Sequence, residues 1–370
     1  LNEPTLDPLS ILIVKTSALG DVLIALSLLD HIKQLAPNAA VDWAVEQESR
    51  DVVGNHPFVR EAITICSRSW RKCPFKKRTR QEVKESIRRL RKKRYDIVFD
   101  IQGNIKSGLI TFLAKSSKKI GYASDYVPEW PNLLVTSDKV SPSTKNQLSD
   151  YLELVYKAFD TPLPDELTTT KVDYPKQTLS NIPFISDKKD KVVLVCPQSR
   201  WNNKRLKRRT MTSFLQKVQA ASGCKLLFAW GSDIERCNAQ KMHSDLGDSS
   251  AVLPRLAPLD LFSAIEACDL VISVDSFSLH LAAKTSTPTF SIYGASLGKY
   301  YAPRGPEHAF FQGSCPYHLN FNRRCPLLRT CKTGACIKRI DADHLFSVFS
   351  KTHLFKDLIK NPTALQHSES

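Results

Sequence analysis

The stretch SILIVKTSALGDVLIALSLLDHIKQLAP, Ser10 to Pro37, decides the fold. Ile11 to Val14 form an unbroken apolar run rich in β-branched residues, which reads as a short strand buried on both faces of a parallel sheet. Lys15 to Ala18 then read as a loop. Val22, Leu23, Leu26, Leu28, Leu29 and Ile32 recur at helical spacing until Pro37 stops the pattern. The unit is strand, small-residue turn, helix. Asp21 sits where the helix starts, and a carboxylate there satisfies free amide donors and complements the helix dipole. A second reading is that Gly20 lets a ligand approach the backbone at the carboxyl edge of the sheet, with Asp21 facing it. The stretch alone leaves both open.

The same alternation continues outward. Strand-like segments follow at Ala40 to Val45, Ala62 to Ile65, Asp96 to Gln102 and Lys119 to Tyr122, separated by helical or loop segments, so parallel α/β units are expected. Between about 161 and 190 the composition shifts to Pro, Thr, Ser, Asp and Lys, with Pro162, Pro164, Pro175 and Pro183, the signature of a linker. Then the pattern restarts with KVVLVCPQS, CKLLFAWGS, DLVISVDSFS and TFSIYGAS as strand-to-loop segments. Neither half carries Gly-x-Gly-x-x-Gly, which disfavours a nicotinamide dinucleotide site. Three loops of the second half carry polar groups after strands: Gln198, Ser199 and Lys204; Glu235 after Trp230-Gly231-Ser232; Asp275, Ser276 and His280. In a parallel sheet these loops open on one edge, where they can converge on a single ligand.

At 370 residues and 42% hydrophobic content the chain can build two ordinary cores. It has no run of 18 uncharged apolar residues and no basic leader in its first ten, so the expectation is a cytoplasmic protein. The formal charge is +16, and Arg68 to Arg94 holds fourteen Lys or Arg against two Glu. Such a run suits nucleic acid, anionic lipid or a phosphorylated substrate, or a solvated helix face. Trp70 and Phe75 within it suit a membrane interface, a base stack or simple packing. No RNA-recognition, KH or zinc-finger signature accompanies it, so no specific nucleic-acid partner is expected. Of ten cysteines, Cys315, Cys325, Cys331 and Cys336 cluster beside His318. The cluster invites a zinc or iron reading, but it contains no C-x-x-C pair, and the expectation is no metal.

Several motifs resemble a known family. ILIVKTSALGDVL, DIQGNIKSG from Asp100, WGSDIE from Trp230, VISVDSFSLHLAA from Val271 and IYG from Ile292 are similar to those of the bacterial lipopolysaccharide heptosyltransferases of glycosyltransferase family 9. The loop SRSWRKCPF is similar to the basic Trp-containing loop of the member that adds the first heptose to Kdo of lipid A. The resemblance implies a GT-B fold: two Rossmann-like domains whose parallel sheets face across a cleft. It implies an acceptor domain over 1–170, a nucleotide-sugar domain over 171–345, and a tail over 346–370 that can cross back to the first domain. It further implies Asp21 as the base and Lys204 as the stabiliser of departing diphosphate, without a metal cofactor. Gln198, Ser199, Lys204, Glu235, Leu256, Asp275, Ser276, Phe277 and His280 would hold ADP-heptose. Ser17, Gly20, Arg68, Arg71, Lys72, Gln102 and Lys106 would hold Kdo-lipid A. The basic face would dock on the anionic cytoplasmic side of the inner membrane.

Departures from the family pattern mark the chain, among them the absence of a histidine from TKNQLSDYLELV. Phe277 stands where the family loop has glycine, and Gln198-Ser199 replaces the usual Thr-Thr ahead of the lysine. They leave three alternatives to the first reading: another nucleotide-sugar donor, another acceptor, or a catalytically silent glycolipid binder.

Overall fold

The computed structural model describes residues 8–178, 182–185 and 189–359. The chain divides into two compact units, Leu1–Pro175 and Lys176–Ser370. In the first, β1 (Ser10–Val14), β2 (Ala40–Glu46), β3 (Val59–Ile65), β4 (Ile97–Asp100), β5 (Lys118–Tyr122) and β6 (Asp138–Val140) form a parallel sheet in the order β3-β2-β1-β4-β5-β6. In the second, β7 (Val192–Cys196), β8 (Lys225–Phe228), β9 (Ser250–Val252), β10 (Leu270–Val274), β11 (Thr289–Tyr293) and β12 (His308–Gln312) take the order β12-β11-β10-β7-β8-β9. Counted within its own unit, each sheet has the same doubly wound order, reversing direction between its first and fourth strands. Both units are Rossmann-like α/β layers.

Ile11, Leu12, Ile13 and Val14 are wholly buried, as an unbroken apolar run in a sheet covered on both faces requires. Beside them Trp43 is also wholly buried, and its indole N–H donates to the Lys15 carbonyl at 3.1 Å. The helix expected from Asp21 to Pro37 is two, Leu19–Ala25 and Leu28–Leu35. At the junction the amides of Ser27 and Leu29 reach back three residues instead of four, and the buried Ser27 hydroxyl accepts the Thr170 N–H at 3.3 Å. The β4 strand stops at Asp100, because the next residues turn over that carboxylate.

The basic segment forms a short helix, Ser67–Lys72, which carries the Trp70 expected in a loop, and a long one, Lys77–Lys92. The described part of the chain end packs on the second unit. The helices Ala342–Ser350 and His353–Ile359 bury Leu345, Phe349, Leu354, Phe355 and Leu358 in the second unit's own core. Phe349 sits 4.6 Å from Phe290 and 5.7 Å from Phe214, ring centroid to centroid, so apolar burial holds this end in place. Residues 360–370 of the expected tail lie outside the described residues. Among the described residues no helix is long and apolar enough to cross a membrane.

Candidate active site

Ligands of doubly wound sheets bind beyond the carboxyl ends of the strands flanking the point of reversal. In the first unit these are β1 and β4, and the loops after them are joined: the Ser17 N–H donates to Gln102 Oε1 at 3.2 Å. Asp21 stands in the first turn of Leu19–Ala25, its side chain 38% exposed, and accepts the Ala18 N–H at 3.4 Å. Both readings of Asp21 are therefore compatible with one geometry, since one oxygen caps the helix while the group still faces solvent. The ammonium of Lys15, a buried residue, lies 4.0 Å from the same carboxylate. Gly20 occupies the same half-buried turn.

Asp100 organises the partner loop. It is wholly buried and accepts from the Gln102 N–H (3.1 Å), the Gly103 N–H (2.9 Å), the Thr111 hydroxyl (3.0 Å) and the Asn132 amide (2.6 Å). Burial nonetheless prevails over these bonds and raises its pKa above the ordinary carboxylate value. Gly103 has φ +73°, and a Cβ there would stand 2.7 Å from the Pro128 ring, so both conformation and space demand glycine.

The other expected acceptor residues are held by carboxylates or exposed. Lys106 donates to Glu46 at 2.8 Å, and Glu46 also takes the Ser67 N–H at 3.2 Å, tying β2 to the basic Ser67–Lys72 helix. Arg68 pairs with Glu48 at 2.6 Å, Arg71 donates to the Ser67 carbonyl at 3.3 Å, and Lys72 is exposed. Trp70 donates its indole N–H to Glu82 at 3.0 Å, which fixes the short helix against the long one.

In the second unit the flanking strands are β7 and β10, and the loops after them are again joined. The Ser199 hydroxyl donates to the Asp275 carbonyl at 2.9 Å, and Lys204 donates to Asp275 Oδ2 at 2.5 Å. His280 Nε2 lies 3.7 Å from the other carboxylate oxygen, and the Ser296 hydroxyl donates to Oδ2. Burial pushes the Asp275 carboxyl up, but the Lys204 ammonium and His280 beside it overcome that and hold it well below the usual carboxylate range. Lys204 keeps 17% of its side chain exposed, and an ammonium has three N–H donors.

Gln198 is half-buried in the loop leading to this cluster. Ser276 is the N-cap residue of the Phe277–Ala282 helix, its hydroxyl 3.1 Å from that of Ser273, and Phe277 is the half-buried first helical residue. Glu235 is spent locally: it accepts the Gly231 N–H at 2.8 Å and lies 3.8 Å from Arg205. Leu256 lies half-buried in the loop after β9, outside the hydrogen-bonded cluster.

Sequence reasoning missed Lys15, Glu46, Asp100 and Ser296. The signal available for Lys15, Glu46 and Asp100 was a charge closing an apolar strand, where burial is tolerated only with a partner. The four clustered cysteines line one pocket of about 470 Å³ with Tyr317 and Leu328, and all ten cysteines are free thiols. Among the described residues no three His, Cys, Asp or Glu are arranged to hold a metal ion.

The family model described as "Glycosyltransferase family 9 (heptosyltransferase)" matches residues 83–330. Lipopolysaccharide heptosyltransferase 1 of Pseudomonas aeruginosa is 26% identical over 87% of this chain and 87% of its own length. The protein of the same name from Escherichia coli K12 is 26% identical over 77% of this chain and 87% of its own. Among solved structures, E. coli heptosyltransferase WaaC with ADP superposes with a TM-score of 0.76 at 22% identity, over 93% of this chain and all of that one. The likeness is to the GT-B fold of that enzyme. With two doubly wound units and a family match that spans about two thirds of the chain and reaches into both, the chain belongs to glycosyltransferase family 9, the heptosyltransferases, and is similar to heptosyltransferase 1.

Proposed function

We propose that this enzyme transfers heptose from ADP-heptose to the Kdo of Kdo-lipid A with inversion at the anomeric carbon, building the inner core of lipopolysaccharide on the cytoplasmic leaflet. The observation that carries this reading is the Lys204–Asp275 pair at the reversal point of the second sheet. A cation is held there by a carboxylate that takes one of its three donors, so two remain for phosphate oxygens.

In this mechanism the half-exposed Asp21 accepts the proton of the attacking Kdo hydroxyl as that oxygen bonds to the anomeric carbon. The bond from that carbon to the β-phosphate oxygen breaks, and ADP leaves with the bonding pair. Lys204 neutralises the charge that develops on the diphosphate. The proton on Asp21 passes to solvent. Lys15, beside Asp21, orients the carboxylate, and the Ser17–Gln102 bond holds the base loop to the loop that leads into the Lys106-bearing helix. Leaving-group neutralisation is assigned to a lysine, so the reaction is expected to need no divalent cation.

The test is release of ADP from ADP-heptose with a Kdo-lipid A acceptor. Native protein should turn over with EDTA present, and Asp21→Ala should lower kcat by roughly two to four orders of magnitude while ADP binding persists. Lys204→Ala should lower both kcat and donor affinity. Donor binding without acceptor-dependent release would replace the transferase by the silent binder. Failure to bind ADP-heptose would point to another donor and to the Phe277 ring.

A further inference from the structure

The Ile105–Leu113 helix buries Ser107, Gly108, Ile110 and Thr111, yet its opposite face is apolar too: Ile105, Leu109 and Phe112 are 58%, 59% and 65% exposed. Their spacing of four and three residues puts them on one stripe. Gly108 abuts Asn132, the centre of the short 3₁₀ turn Trp130–Leu134, and that turn exposes Trp130 (69%) and Leu134 (76%). Five large apolar side chains thus project from two elements packed on one another. They are rigidly mounted, since Asn132 is wholly buried and bonded to Asp100, the carboxylate that shapes the Gln102 loop. Large apolar side chains on a helix belong in a core or against lipid, and among the described residues this outward stripe stays exposed.

The charge beside this stripe identifies what covers it. The basic Lys77–Lys92 helix packs on the Ile105–Leu113 helix. Among the described residues its exposed Lys77, Arg80, Lys84, Arg91 and Lys92 have no carboxylate partner, whereas Arg78, Arg88 and Arg89 are paired with Glu82 or Glu85. Lys119, whose ammonium reaches the Phe112 carbonyl at 3.3 Å, stands at the rim of the stripe itself. An apolar, Trp-bearing wedge flanked by uncompensated cations is complementary to an anionic bilayer surface.

We propose that Ile105, Leu109, Phe112, Trp130 and Leu134 enter the headgroup and upper acyl layer of an anionic membrane, with the Lys77–Lys92 helix lying on its phosphates. This rests on the reading of a lipid-anchored acceptor and adds which surface meets the lipid. The stripe begins three residues after Gln102, the residue bonded to the base loop, so insertion brings the acceptor side of the site to the leaflet. Trp70, tied to Glu82, is not the inserting tryptophan.

The experiment is flotation of the full chain with phosphatidylcholine vesicles, with and without phosphatidylglycerol, together with quenching of tryptophan emission by brominated lipid. The native chain should float with the anionic vesicles, and the quenched component should vanish in Trp130→Phe. Leu109→Ser/Phe112→Ser should weaken partition roughly tenfold or more. Lys84→Glu/Arg91→Glu should weaken it on anionic vesicles. Both double variants should match the native chain in ADP release with an acyl-free Kdo oligosaccharide. Unchanged partition of the Ser double variant, or lipid quenching that survives Trp130→Phe, would overturn the proposal. So would a native chain that self-associates through the stripe, with the Ser double variant monomeric and equally bound to vesicles. If the native chain is inactive on the soluble acceptor yet floats as expected, the functional reading falls and the membrane surface stands.

Discussion

Asp100 and Asp275 close or follow the fourth strand of their respective sheets, and their environments push them in opposite directions. Asp275 is held below the ordinary range by Lys204 and His280, so its contribution to stability is present above the unfolded value of about 4 and is lost as pH falls from there. Asp100 is raised by burial, so its contribution is fully present below about 4 and is lost as pH rises through its folded value. Urea midpoints compared at pH 5 and pH 3 should therefore show a shallower acid loss in Asp275→Asn than in the native chain. Asp100→Asn should abolish the component of opposite sign, and it also places an amide against the Asn132 donor, at a cost of about 1–3 kcal/mol. Lys204→Ala leaves the buried Asp275 without its cation and should cost about 3 kcal/mol, seen as a lower thermal midpoint. Its lost activity is then interpretable only beside ADP titrations at a temperature where the variant is folded.

Among the elements, the Ser67–Lys72 helix depends on few anchors, and Glu82 supplies one by accepting the Trp70 indole. Glu82→Ala should raise KM for Kdo-lipid A several-fold, red-shift tryptophan emission, and leave donor affinity unchanged; a change in donor affinity instead would contradict the separation of roles. Gly103→Ala, at φ +73° and against Pro128, should cost more than 1 kcal/mol and lower kcat by disturbing the loop that Ser17 grips. The strands legible in sequence were those buried on both faces, such as Ile11–Val14 and Leu270–Val274, whose apolar runs have one reading. The strands that escaped, Asp138–Val140, Ser250–Val252 and His308–Gln312, lie at sheet edges and are polar or partly exposed. The site loops were legible because they follow central strands. The partners inside them were not: Glu235 caps Gly231 and Lys106 grips Glu46 through contacts that no spacing rule encodes.

For the whole molecule, most of the +16 charge belongs to one segment of one unit, so salt should act unevenly. Raising ionic strength should strip the chain from anionic vesicles, while ADP affinity falls far less, because the Lys204–Asp275 pair is largely shielded from screening ions. Flotation and nucleotide titration along one salt series check this. The two sheets have a further consequence. Every described strand pairs within its own unit, and the boundary at Pro175 and Lys176 lies in a segment without regular structure. A gene cut there would sever no ladder among the described strands and divide none of the described apolar clusters. Two separately expressed polypeptides should each acquire a complete sheet, and restored turnover on mixing would turn this single chain into a fragment-complementation pair.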